Sequence, residues 1–131
     1  MLLGDRMWLG RFQRSELAFP SLDKAELIHQ VESMDQCVEP RFDALHEARQ
    51  ATDATIEAFV RELDTERLAA DLTYHNSKGL PFQAPVWLVV GHLFNHQTHH
   101  RGQVTALLHQ LGHDPGTTDF MITSIMPEPE G

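Results

Sequence analysis

The sequence predicts an all-α fold. Apolar residues recur at helical spacing in three separate stretches, and glycine, proline and polar residues cluster between them. Only one short segment has the composition of extended chain around a turn. The 131 residues suffice for one compact domain with one core, and residues 1–131 are expected to form it. No internal repeat and no linker divides them.

Leu2, Leu3, Met7, Trp8, Leu9 and Phe12 place a first helix over about residues 1–14. It is already running at Met1 with no capping residue before it, which suggests that the natural element begins earlier. Residues 15–22, with Pro20, read as a loop. Asp23, three residues before Glu26, has the spacing of an N-terminal cap and predicts a short helix to about Val38. Pro40 suits the first turn of the next helix, where its missing N–H costs little. Phe42, Leu45, Thr52, Ile56, Phe59, Val60 and Leu63 carry that helix to about Leu63. Residues 64–68 read as a connection or short turn. Residues 72–75 and 81–83 flank Asn76-Ser-Lys-Gly79, which predicts a small hairpin or irregular loop near residues 70–84. The last helix is expected from about Pro85 to Leu111, closed by Gly112. Residues 113–117 form a turn, and residues 127–131 a frayed tail.

Composition narrows the function. Apolar residues make up 41% and charged residues 22%, an ordinary globular balance. Nineteen Asp and Glu against ten Lys and Arg give a net charge of -9, which argues against nucleic acid, whose phosphates require clustered cations. Arg6, Arg11 and Arg14 form the densest basic cluster and read as a solvated helix face. No run is long and apolar enough to span a bilayer, and residues 1–5 lack the features of a signal peptide, so the expected location is cytoplasmic. The single Cys37 excludes an internal disulfide and a multi-cysteine zinc site, and reads as a small buried apolar residue.

The chemistry concentrates in the last helix. Of nine histidines, four fall between His92 and His100. Imidazole is the commonest protein ligand for zinc, nickel and related metals, and two histidines four apart share one helical face. Val86, Leu93, Val104, Leu107 and Leu111 define the apolar stripe. His100 falls within it and His96 lies on its flank, roughly 60° away. His96 and His100 are therefore the candidate ligand pair, and a hydrogen-bonded core network is the alternative reading of the same spacing. His92 and His99 lie further round, as neighbours of the site, surface groups or interface residues. His29, His46, His109 and His113 are isolated and read as surface residues. His75 sits in a loop that could fold over the site as a ligand or substrate contact. Gly102, opposite the stripe in mid-helix, reads as a tolerated cost or a close approach of another backbone, such as a second subunit. Asp5, Asp119 and the glutamates lack a spacing that marks a catalytic acid.

Residues 88–108 (LVVGHLFNHQTHHRGQVTALL) resemble the signature helix of the DinB (damage-inducible) family, within the DinB/YfiT-like superfamily of metalloenzymes. Residues 5–12 (DRMWLGRF) resemble that family's second helix, and residues 72–79 (LTYHNSKG) and 111–116 (LGHDPG) match in order. The resemblance covers about residues 1–120. It implies an up-down-down-up four-helix bundle with a divalent metal, zinc or nickel, held by a histidine triad. Two of the triad carry over to His96 and His100. The third would fall immediately upstream of Met1, together with the family's first helix, so the first helix is missing or incomplete in this sequence. The resemblance further implies a homodimer and a small-molecule substrate. Characterised branches include thiol-dependent S-transferases, a maleylpyruvate isomerase and hydrolase-like members. The implied activity is thus a metal-dependent thiol S-transferase or hydrolase in stress or detoxification, with a low-molecular-weight thiol as cosubstrate. The alternatives are a non-catalytic metal-binding or stress-response dimer, and a degenerate relative that has lost its metal.

Overall fold

The computed structural model describes residues 1–31, 33 and 37–119. Among these, the chain is mostly helical with one small sheet. Helix α1 spans Leu2–Gln13, a 3-10 turn Pro20–Leu22, α2 Phe42–Arg61, α3 Thr65–Ala69, strands β1 Asp71–His75 and β2 Pro81–Pro85, and α4 Val86–Gln110. The chain divides into two compact units, Met1–His96 and Gln97–Gly131.

The first unit holds the core. Leu9 and Phe12 of α1, Phe19 and Leu22 of the following loop, Ile56 and Phe59 of α2, Leu72 of β1, and Val86 and Val89 of α4 pack together. Phe12, Phe19 and Phe59 form an aromatic triangle with centroids 4.9–5.6 Å apart. Such tilted pairs add to the gain from apolar burial. Toward the start of α1 the α1–α2 contact turns polar. Asp5, fully buried, accepts from Arg49 Nη1 at 2.5 Å, and Arg49 Nη2 also pairs with Asp53 at 2.6 Å. Arg6 Nε donates to Thr52 Oγ1 at 3.1 Å. The order of these contacts, Asp5 to Arg49 and Phe12 to Phe59, means that α1 and α2 run in the same sense.

The hairpin forms where turn chemistry predicts it. β1 and β2 pair antiparallel with Tyr74 opposite Phe82. Asn76 Oδ1 accepts from the backbone N–H groups of Lys78 and Leu80, which organises the turn. Residues 64–68, read as a connection, instead carry the short helix α3, capped by Asp64 Oδ1 accepting from Arg67 N–H at 2.7 Å.

The expected helix after Asp23 is not there. Asp23 closes the 3-10 turn, and residues 24–31 have no regular secondary structure. Their backbone groups find partners on α1 instead. Ile28 N–H donates to Arg6 O at 3.3 Å, Arg14 Nη2 donates to His29 O at 3.0 Å, and the Gln13 amide donates to Leu22 O at 2.5 Å. Gly10 admits this segment, since a Cβ there would stand 2.7 Å from Ile28 O. Tertiary bonds thus replace the helical ladder that the local capping signal suggested. Residues 32 and 34–36 of that expected helix lie outside the described residues, as does the expected tail at residues 127–131.

The second unit is described to residue 119. It contains residues 97–110 of α4, closed by Gly112 at φ +79°, which a non-glycine residue adopts with difficulty. Residues 113–119 have no regular secondary structure. Val104, Leu107 and Leu111, expected in the buried stripe, are exposed. Periodicity marks which face of a helix is apolar, but not what covers it. Among the described residues, no helix is long and apolar enough to cross a membrane.

Candidate metal centre and the adjoining cleft

Two short stripes meet in the first unit. Gly4, Trp8 and Arg11 follow one face of α1, at the three-to-four-residue spacing of a helix. His92 and His96 follow one face of α4, one turn apart, with ring centroids 5.9 Å from each other. The stripes pair in reverse order, so α1 and this part of α4 run in opposite senses. The Trp8 ring meets His92 edge-on at 5.0 Å. The His96 imidazole lies directly against Gly4, where a Cβ would stand 2.8 Å from Cε1 and 3.3 Å from Nδ1. Glycine at position 4 is therefore what lets the His96 ring lie on the α1 backbone, leaving His96 half-buried.

His100 lies in the second unit, one helical turn along α4 and also half-buried. Its Nδ1 is 2.7 Å from Gln103 Oε1. Metal-bound imidazoles are commonly oriented in this way by a bond to their other nitrogen. His99 is exposed and meets His100 edge-on at 5.2 Å. Among the described residues, no group of three or more His, Cys, Asp or Glu side chains gathers to hold a metal.

Beyond Trp8 the α1 stripe opens into a cleft of about 590 Å³. The Arg11 guanidinium stacks 3.9 Å from the centre of the Trp8 ring and 4.9 Å from that of Tyr74. Burial pulls Arg11 below its ordinary pKa, while Tyr74 opposes the shift. Arg14, His29 and His75 line the same cleft. His75, expected near the histidine pair, thus sits at the end of β1 as part of this cleft. His29, expected as a plain surface residue, is exposed and lines it too.

Two readings of the sequence change. Arg6 and Arg11 are half-buried rather than part of a solvated face, with Thr52 and the Trp8 and Tyr74 rings as partners, while Arg14 is exposed and bonds the His29 carbonyl. Cys37 is exposed rather than buried. Gly102 has open space around it, with nothing within 4 Å of a Cβ built there, as its reading as a tolerated cost expects. Sequence reasoning missed Gly4 and Trp8, although the Gly4, Trp8, Arg11 spacing is itself a helical stripe of unusual composition.

Comparison with curated proteins and with solved structures gives no match. The model of the DinB family matches residues 1–130, nearly the whole chain and through both compact units. The resemblance carried by the histidine helix is thereby borne out, and the chain belongs to the DinB family.

Proposed function

We propose that this DinB-family chain holds a divalent metal, zinc or nickel, through His96 and His100, and uses it as a thiol S-transferase or hydrolase on small molecules in stress or detoxification. The placement of the His96 ring on Gly4 carries the reading, because it fixes one imidazole of a helical i, i+4 pair against a second helix. The Gln103 bond to His100 Nδ1 supports it from the other side. The donor chemistry fits, since neutral imidazoles suit both ions. When bound, such a cation stabilises a thiolate or hydroxide and so supplies a nucleophile at neutral pH. The chain's own residues hold and wall the site. Gly4 gives His96 room, and the Trp8 edge steadies His92 beside it.

The helix directions support the up-down-down-up bundle. α1 runs with α2 and against the first part of α4, as the second, third and fourth helices of such a bundle would. A low-molecular-weight thiol is the cosubstrate on this reading, and the location is cytoplasmic. The test is consumption of 1-chloro-2,4-dinitrobenzene by the zinc- or nickel-loaded chain with cysteine or glutathione. Thiol-dependent turnover lost in His96→Ala is expected. Absence of turnover with every thiol, together with intact metal binding, would overturn the S-transferase and leave the hydrolase or a metal-binding dimer.

That second reading has an observation of its own. Val104, Leu107 and Leu111 are 50%, 58% and 73% exposed, more apolar surface than one short segment of a monomer ordinarily leaves in water. Sedimentation showing a concentration-independent monomer would count against the homodimer.

A further inference from the structure

We infer that the cleft between α1, the segment at residues 29–31 and the hairpin turn binds a small organic oxyanion, a carboxylate or phosphate ester with an apolar body. The chain as a whole is strongly acidic, at -9, yet among the described residues none that lines this cleft is Asp or Glu. Its charged and titratable side chains are Arg11, Arg14, His29 and His75. Among the described residues, neither Arg11 nor Arg14 pairs with a carboxylate, whereas Arg41, Arg49, Arg61 and Arg67 all do. A cleft whose described charged side chains are cationic attracts an anion from solution.

The geometry of Arg11 adds to this. The Arg11 guanidinium lies 3.9 Å from the Trp8 ring centre and 4.9 Å from that of Tyr74, with the two rings edge-to-face on one side of it. Among the described residues, its N–H groups make a long 3.9 Å approach to the Met7 sulfur. A guanidinium stacked on aromatic rings keeps N–H donors for another partner, and its fork matches the two oxygens of a carboxylate or phosphate. Arg14 is anchored through one nitrogen to the His29 carbonyl, which fixes a second cation at the rim. Met7, Val31 and the Tyr74 ring supply apolar wall, and the volume of about 590 Å³ suits a small molecule rather than a bare ion. The cleft does not include His96 or His100, so this inference stands apart from the metal reading.

Calorimetric titration at fixed ionic strength with benzoate, phenyl phosphate and benzyl alcohol tests it. Saturable one-to-one binding of benzoate or phenyl phosphate, and none of benzyl alcohol, is expected, and the stronger of the two identifies the anionic group. Arg11→Met and Arg14→Gln should each weaken that binding by about tenfold or more. Arg61→Gln, an exposed arginine elsewhere, and His96→Ala should leave it unchanged. Arg14 is exposed, so its variant reports on binding even where Arg11→Met unfolds the chain. No saturable heat with either anion, equal binding of the alcohol, or unchanged affinity in Arg14→Gln would overturn the inference.

Discussion

The two parts of α4 carry the same kind of sequence and meet different surroundings. Along residues 86–96, Val86, Val89 and Leu93 are buried and His96 rests on Gly4. Along residues 97–110, Val104 and Leu107 are exposed, and Gly102 has nothing near it. Apolar periodicity runs through both. The difference shows that a helix's pattern names a face, while burial depends on what another element brings to it. On the proposed metal reading the contrast bears on function, because His96 belongs to the covered part and His100 to the other.

The largest expected effects lie in the covered unit. Phe59→Ala should cost about 3–5 kcal/mol in urea unfolding, since Phe59 is fully buried against Phe12 and Phe19. Leu107→Ala, on the exposed part of α4, should change stability by no more than about 0.5 kcal/mol. Equal losses would erase the distinction between the two parts.

The buried ion pair comes next. Arg49→Met removes the partner of a fully buried carboxylate and should cost about 3 kcal/mol or more. Asp5→Asn leaves the partly exposed Arg49 with Asp53 still at hand and should cost less. Thermal or denaturant unfolding of the two variants checks the order, and the reverse order would mean that Asp5 is not held as the structure has it.

The glycines give the sharpest comparison. Gly102→Ala adds a methyl in open space and should stabilise the chain by about 1 kcal/mol through helix propensity alone. Gly4→Ala gains the same propensity but drives a Cβ to within 2.8 Å of the His96 ring, so it should destabilise by about 1 kcal/mol net, as overpacking outweighs propensity. A shifted His96 imidazole resonance should accompany it. Stabilisation by both substitutions would mean that His96 does not rest on α1.

Much of this was legible in the chain. Trp8, Leu9 and Phe12 mark α1, Ile56 and Phe59 mark α2, and Asn76 to Gly79 mark the hairpin turn, because each signal is local and nothing distant opposes it. The histidine spacing and the family were legible for the same reason. The segment after Asp23 was not, since its backbone bonds go to Arg6 and Arg14, far from the capping residues that suggested a helix. Arg11 was not either. A helical wheel sends a cation to solvent, and only the arrival of Tyr74 from the hairpin turns that face into a stacking site. Gly4 reads as a mild helix defect until His96 is seen lying on it.

The metal pair is the central claim, and equilibrium zinc binding tests it most directly. The wild-type chain and the His109→Ala variant, which alters an exposed histidine of the same helix, should bind zinc alike. His96→Ala and His100→Ala should each lose that binding while retaining the helical circular dichroism of the wild type. Zinc content unchanged in both variants would contradict the account and leave the histidines as a structural network.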